Sequence, residues 1–171
     1  ILSLTKRASL NMENKILYES IYLNIMDTLH SLISSIQARD HYTEEHSRRV
    51  TGEAVRLAES MNCTPKEIES IRIASVLHDV GKIAVPDSIL LKEGRLTQEE
   101  YMIIKNHPSI GENILKPIIL LDEERKIIQC HHERWDGRGY PQGLKGKEIP
   151  FLARMMAVVD AFDAMTSDRT Y

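Results

Sequence analysis

The sequence is poor in aromatic residues and in excess charge of either sign, and it has no long apolar run. Aromatic residues make up 5% of the 171 residues, too few for a platform that stacks single-stranded bases. The 22 basic and 25 acidic residues leave a formal charge of -3, so no basic field favours a nucleic-acid polymer. No apolar run reaches the about 18 residues that a membrane-spanning helix needs.

Cysteine is also scarce. The two cysteines, Cys63 and Cys130, form neither a CxxC pair nor a disulfide framework, so a cytoplasmic location is expected. With 27% charged and 42% hydrophobic residues, the composition is that of a globular chain, and the length suits one domain with an added helix. Composition therefore excludes several classes of protein without naming a function.

The hydrophobic pattern predicts successive helices and no alternating strand, and hence an all-α helical bundle. From Asn14 to Arg39 there is neither glycine nor proline, and apolar residues recur every three or four positions, which predicts a long amphipathic helix. Residues 1–13 are too irregular to assign. We expect residues 1–36 to act as a linker or signalling helix that pairs with a second copy in a homodimer; packing on its own domain is the alternative.

Local signals mark the remaining elements. Thr64 with Glu67, and Thr97 with Glu100, have the spacing of capping boxes that begin helices. Residues 134–150 are rich in glycine and proline, which predicts a loop. Further helices are predicted from about Thr43 to residue 61, from Pro65 to near residue 81, from Thr97 to before residue 107, from residue 108 through 115, over 118–132 and over 151–165.

Histidine and aspartate at helix starts and ends form the strongest chemical signal. Asp160 lies within an apolar run, where a carboxylate is costly unless it is paired or binds a metal. Imidazole and carboxylate ligands suit Fe, Mn, Co, Ni or Zn, and the lack of cysteine ligands argues against a structural zinc site. Seven ligands exceed the need of one ion, so two ions that share Asp79 are expected. The predicted ligands are His46, His78, Asp79, His107, His131, His132 and Asp160, whereas His30 and His41 are expected to bind no metal.

Several strings in a fixed order resemble the HD-GYP domains, a branch of the HD metallohydrolase superfamily. The resemblance covers roughly residues 37–171, and Gly139-Tyr140-Pro141 matches the tripeptide that names the branch. The matching strings are ARDHYTEEHSRRV (38–50), HDVGKIAVPDSIL (78–90), LTQEEYMIIKNHPSIG (96–111), HHERWDGRGYP (131–141), GKEIP (146–150) and VVDAFDAMTSDRTY (158–171).

The resemblance implies a helical bundle that hydrolyses the bacterial messenger cyclic di-GMP. The metal ligands of the family fall on the seven residues named above, its HDxxGK lysine on Lys82, its loop tyrosine on Tyr140, and a basic substrate contact on Arg169. Tyr42 stands where a minority of the family has a glutamate for a third metal, so the chain resembles the two-metal majority. Thr170 replaces a common proline, from which a mild effect is expected.

The resemblance also bears on the ends of the chain. The family continues past residue 171 with further helices, so residues 37–171 are expected to be an HD-GYP domain that lacks its C-terminal helices. NMENKILYE (11–19) is similar to the closing helix of a sensory domain, so an upstream sensory or receiver domain is expected in the parent chain.

Each candidate site residue has a functional and a structural interpretation. With Asp79 as a metal bridge, Lys82 could hold a phosphoryl oxygen or help to protonate the leaving group, or it could be a solvated lysine. Tyr140 could stack on a base or bind phosphate, or it could anchor its loop. Arg138 could steer an anionic ligand or be solvated, and Arg169 could bind phosphate or a guanine edge, or pair with an aspartate.

Two neighbouring residues are assigned supporting roles. Asp163, one turn after Asp160, is expected to be a partner of a ligand rather than a ligand itself. Trp135 is expected to be a packing residue rather than a base platform.

The expected function is therefore hydrolysis of cyclic di-GMP to linear pGpG, with further cleavage to GMP left open. The expected cofactors are two divalent transition-metal ions, with Fe, Mn, Ni and Co as the candidates. Two alternatives stay open at this point. One is a signalling module that binds cyclic di-GMP with negligible turnover, and the other is an HD hydrolase that acts on another nucleotide.

Overall fold

A computed structural model describes residues 2–37 and 41–167. Within these ranges the chain is all-α, as the sequence predicts, and no β-strand occurs. Three short 3₁₀-helices accompany the α-helices at Val80–Ala84, Ile119–Leu121 and Gly146–Glu148. The α-helices are α1 (Leu2–Gln37), α2 (His41–Ser60), α3 (Pro65–Leu77), α4 (Asp87–Leu90), α5 (Gln98–Ile104), α6 (His107–Leu115), α7 (Asp122–Cys130) and α8 (Phe151–Thr166).

The chain divides into two compact units, Ile1–Ser35 and Ile36–Tyr171. Helix α1 makes up the first unit and extends two residues past its end; it begins at Leu2, so it includes residues that the sequence pattern left unassigned. The segment contains no glycine or proline, and a helix that is already nucleated extends through such residues without an apolar stripe. The predicted end at Arg39 lies outside the described residues.

The second unit is a bundle whose core lies among α2, α3, α7 and α8. The small side chains of Ala54 and Ala58 on α2 are fully buried and allow neighbouring helices to approach closely. The larger core residues contribute most of the buried apolar surface, which is the main favourable free energy of folding. They include Val50, Ile71, Leu77, Leu115, Leu121, Ile127, Ile128, Ile149 and Met156.

The two predicted capping boxes are present. The backbone N–H of Thr64 donates to Glu67 at 2.8 Å at the start of α3, and that of Thr97 donates to Glu100 at 2.7 Å at the start of α5. Helix α2 begins at residue 41, two residues before the predicted start, so His46 lies in its second turn. Two other predicted boundaries are wrong: α3 ends at residue 77, and the helix expected over 118–132 is a 3₁₀ turn followed by α7.

Residues 134–150 form an irregular loop, as predicted, with one 3₁₀ turn within it. One antiparallel bridge joins Asp136 to Lys145, and the 3₁₀ turn at Gly146–Glu148 follows it. Trp135 in this loop is 60% exposed, with the Arg154 guanidinium over its ring, so the expected packing role is wrong. Among the described helices, none combines the length and hydropathy that crossing a membrane requires.

Candidate metal centre

The ends of three helices bring histidine side chains together. His78 follows the last residue of α3, His107 is the first residue of α6, and His131 follows the last residue of α7. Their side chains are almost fully buried, and the rings lie close to one another: the centroids of His78 and His131 are 5.4 Å apart, and those of His107 and His131 are 5.3 Å apart.

Each of these three histidines uses its Nδ1 in the same way. The Nδ1 atom of His78 lies 2.7 Å from the carbonyl oxygen of Ser75. The corresponding distances are 2.8 Å from His107 to the carbonyl of residue 104 and 2.6 Å from His131 to that of residue 128. A carbonyl only accepts a hydrogen bond, so Nδ1 carries the proton and the Nε2 lone pair is left for a metal.

His46 reaches the same cluster from the side of α2. Its Nδ1 lies 2.7 Å from Oδ2 of Asp163 on α8, and its Nε2 lies 3.3 Å from Oδ1 of Asp160. Arg49 donates to both oxygens of Asp163, at 2.6 and 3.1 Å. Asp163 therefore orients His46, as the sequence analysis expects for a partner of a ligand.

The candidate donor atoms form two groups of three, and within each group these atoms all lie within 4.8 Å of one another. Asp79 belongs to the first group but also reaches the second, since its Oδ2 lies 3.3 Å from Nε2 of His78 and its Oδ1 lies 3.4 Å from Nε2 of His107. Asp160 joins the groups again, because its Oδ2 lies 4.0 Å from Nδ1 of His132. The groups are His46, His78 and Asp79, and His107, His131 and His132.

The electrostatics of the cluster favour ionised carboxylates beside neutral imidazoles at His107, His131 and His132. Burial lowers the pKa of His107 and of His132 to about 4, and burial also lowers the pKa of His131. Burial acts to raise the pKa of Asp79, but His78 and Lys82 outweigh it and hold that pKa well below the usual range. These are the protonation states in which both side chains bind metal ions.

The donor atoms of the cluster are suited to binding a metal ion. The Nε2 atom of His78 is buried and makes no hydrogen bond, since the nearby Oδ2 of Asp79 is also an acceptor; this is a rare condition for a buried polar atom. A divalent cation among the imidazole nitrogens and carboxylate oxygens would supply the missing partner. The donor set holds nitrogen and oxygen only, which suits Fe, Mn, Co, Ni or Zn.

Lys82 lies directly beside this cluster. Its Nζ is 2.6 Å from Oδ2 of Asp79, and the 3₁₀ turn at Val80–Ala84 brings the two side chains together. The turn packs against the start of α6 so closely that a Cβ on Gly81 would overlap the carbonyl oxygen of His107. Gly81 is therefore required for this turn to approach the second histidine group.

Tyr140 also lies against the cluster, whereas Arg138 does not. The backbone N–H of Tyr140 donates to the carbonyl of His132 at 3.2 Å, and the centroids of their rings are 4.8 Å apart. Burial raises the pKa of Tyr140, so its hydroxyl stays protonated. Arg138 is exposed, and no contact among the described residues joins its guanidinium to the cluster; Arg169 lies outside the described residues.

Glu133 is a buried residue that the sequence analysis missed. Its carboxylate is 3% exposed and accepts three backbone N–H groups, from Gln142 at 2.6 Å, Gly143 at 3.1 Å and Leu144 at 3.0 Å. Glu133 therefore holds the far side of the loop that carries Tyr140. The available signal was an acidic residue directly after a histidine pair and before a glycine-rich loop.

The chain is similar to known proteins over most of its length. The family model described as HD domain matches residues 30–171. A cyclic di-GMP phosphodiesterase of Thermotoga maritima is 45% identical over 158 residues, which cover 90% of this chain and 42% of that protein. The cyclic di-GMP phosphodiesterase response regulator RpfG of Xanthomonas campestris is 39% identical over 175 residues, which cover 97% of this chain and 45% of the relative.

A third relative has a different named substrate. The 3'3'-cGAMP-specific phosphodiesterase 2 of Vibrio cholerae is 38% identical over 164 residues, which cover 95% of this chain and 31% of that protein. The chain thus spans less than half the length of each of these three relatives.

Proposed function

The chain belongs to the HD domain family, and on that premise we propose that it hydrolyses cyclic di-GMP to linear pGpG in bacterial signalling. The observation that carries the proposal is the position of Asp79, whose carboxylate contacts His78, His107 and Lys82 at once. This arrangement suits the hydrolysis of a phosphodiester, which needs charge stabilisation on several oxygens of one phosphorus centre. The names of the relatives support cyclic di-GMP as the substrate.

We propose that the cluster holds two divalent transition-metal ions. His46, His78 and Asp160 would hold one ion, His107, His131 and His132 would hold the other, and Asp79 lies within reach of both groups and would serve either. When bound, such ions polarise phosphoryl oxygens and lower the pKa of water.

The protein's own side chains would bind and orient the substrate. The Lys82 ammonium would hold a non-bridging phosphate oxygen or give a proton to the leaving 3′ oxygen. The hydroxyl of Tyr140, which burial keeps protonated, would donate a hydrogen bond to phosphate or base. Arg138, on the loop, and Arg169, near residue 171, would bind the substrate. The turnover assay described below also shows whether cleavage continues from pGpG to GMP.

We also propose a role for residues 1–36 as a linker helix that joins residues 37–171, the HD-GYP domain, to an upstream sensory or receiver domain. Large apolar side chains of α1, among them Leu10, Leu17 and Tyr18, are exposed. A second copy of the helix could cover them in a homodimer. Light scattering on the wild type and on Leu10→Glu/Leu17→Glu tests this, because the variant should be monomeric if the helix mediates pairing.

The catalytic proposal is tested by metal analysis and turnover on one sample. Protein purified without added metal is expected to carry about two transition-metal ions per chain and to convert cyclic di-GMP to pGpG. Lys82→Met should keep the metal while kcat falls about 100-fold, since one charge-stabilising group is lost. Lys66→Met changes an exposed lysine of α3 and should leave kcat unchanged.

The other outcomes select among the alternatives. Tight binding of cyclic di-GMP without product would indicate a signalling module with negligible turnover. Faster hydrolysis of 3'3'-cGAMP than of cyclic di-GMP would indicate an HD hydrolase of another nucleotide. Full metal content in Asp79→Asn would contradict the assignment of the site.

A further inference from the structure

Lys105 holds its ammonium group against aromatic rings rather than against a carboxylate. The residue directly follows α5, and its Nζ lies 4.8 Å from the ring centroid of Tyr140 and 5.6 Å from that of Tyr101. Such contacts stabilise a cation without neutralising its charge. The Lys105 side chain is half-buried, and no ion pair joins it to a carboxylate within residues 2–37 and 41–167.

Three lysines elsewhere in the same unit are already paired with carboxylates. The Nζ of Lys82 lies 2.6 Å from Asp79, that of Lys92 lies 2.6 Å from Glu100, and that of Lys126 lies 2.9 Å from a carboxylate oxygen of α7. A lysine that is already paired must give up or share its carboxylate before it binds an anion, whereas Lys105 has no such cost.

Lys105 also lies next to the candidate metal centre. Its ammonium contacts the ring of Tyr140, and the same ring lies 4.8 Å, centroid to centroid, from that of His132. The Lys105 ammonium and the His132 ring thus both contact the ring of Tyr140. Only one residue separates Lys105 from His107, so the short segment that carries the lysine leads directly into the start of α6.

The chemistry of a cyclic dinucleotide explains why a cation would be placed there. The ring of such a molecule contains two phosphodiesters, and each carries one negative charge. When one phosphodiester lies at the cluster for cleavage, the other remains on the same small ring and must be held nearby. We propose that Lys105 binds the phosphodiester that is not being cleaved, an inference that rests on the proposed function.

If Lys105 binds the second phosphodiester, its loss should affect only substrates that contain two phosphodiesters. Lys105→Met keeps the apolar stem and removes the charge, so KM for cyclic di-GMP should rise about tenfold, since a charge-assisted hydrogen bond is lost. Its kcat should change little, because the reacting phosphate keeps its own contacts. Hydrolysis of bis(p-nitrophenyl) phosphate, which has a single phosphodiester, should keep its kcat/KM.

Three further measurements sharpen the test. Lys105→Arg should restore most of the affinity, and Lys66→Met serves as the matched control. Equilibrium binding of cyclic di-GMP, compared between Lys82→Met and Lys82→Met/Lys105→Met, should show the same tenfold loss without rapid turnover. The KM of the wild type should also rise more steeply with salt than that of Lys105→Met, because screening acts on the lost charge.

The failures can be told apart. An unchanged KM for cyclic di-GMP in Lys105→Met, or an equal loss of kcat/KM on both substrates, would overturn the role of Lys105 while the proposed function stands. A wild-type protein that neither binds nor cleaves cyclic di-GMP would overturn the proposed function and this inference with it.

Discussion

Asp163 on α8 lies 2.7 Å from Nδ1 of His46 on α2, although 117 positions separate the two residues in the chain. The same carboxylate binds Arg49, whose guanidinium, together with His46, outweighs burial and lowers the pKa of Asp163 to about 2. The Asp163 carboxylate is therefore ionised near neutral pH and can only accept hydrogen bonds. It keeps the proton of His46 on Nδ1 and leaves Nε2 facing Asp160.

Asp163→Asn should weaken metal binding about 10- to 100-fold, because the new amide can donate to Nδ1 and shift the proton to Nε2. Titration of the metal-free protein with Mn²⁺ measures the change. Asp122→Asn, which removes an exposed carboxylate of α7, is the matched control and should bind as the wild type does. Wild-type affinity in Asp163→Asn would show that Asp163 does not orient a ligand.

Glu133→Ala should lower the free energy of unfolding by about 3 kcal/mol, because three backbone N–H groups of the buried loop lose their acceptor. Urea denaturation measures this effect. Glu148→Ala, an exposed residue that caps the turn after the same loop, should cost less. Equal losses in the two variants would mean that the carboxylate of Glu133 is not the anchor of the loop.

Gly81→Ala and Gly52→Ala should change stability in opposite directions. A Cβ on Gly81 overlaps the backbone of His107, so this variant should lose at least about 3 kcal/mol or fail to fold. Gly52 lies within α2 with open space around its Cβ position, so alanine should gain about 1 kcal/mol from helix propensity. Thermal denaturation of both proteins is the measurement, and a stabilised Gly81→Ala would contradict the close approach.

The metal-free protein should lose stability as the pH falls from about 6.5 to about 4. Burial gives His107 and His132 a pKa of about 4 in the folded state, against an ordinary value of 6.5, so the unfolded chain binds more protons in this window. Above about pH 6.5, His107 and His132 are neutral in both states and do not make the stability depend on pH. His78, whose pKa is raised by Asp79 despite burial, acts above this window, where the stability that it adds is lost as the pH rises.

Urea midpoints measured across this pH range provide the check. His132→Gln should flatten the slope, whereas His30→Gln, at an exposed position of α1, should leave it as in the wild type. A slope that is the same in all three proteins would show that the cluster does not hold its imidazoles neutral.

Features that depend on neighbouring residues could be predicted from the sequence. The capping boxes at Thr64 and Thr97, the long helix and the glycine-rich loop all form within a few positions of the chain. The chemical type of the site could also be predicted, because a histidine-aspartate pair, a histidine before proline and a histidine pair already indicate a nitrogen and oxygen donor set. The resemblance to HD-GYP domains rests on these strings, and the match to the HD domain family confirms it.

The boundaries of the helices were harder to predict from the sequence. Propensity alone could not show that α1 reaches back to Leu2, or that α3 ends at Leu77 and leaves His78 and Asp79 to turn toward the cluster. A boundary depends on which backbone groups find tertiary partners, and the pattern of apolar residues does not record this.

The sequence by itself determined the helices, their caps and the kind of ligand on each, because those depend on hydrogen bonds and apolar spacing within one or two turns. Only the tertiary structure decided that Asp79 contacts both histidine groups, that Asp163 orients His46, and that Lys105 lies on Tyr140. These pairs join different elements, so their distances follow from how the elements pack against one another, and no local spacing in the chain encodes that packing.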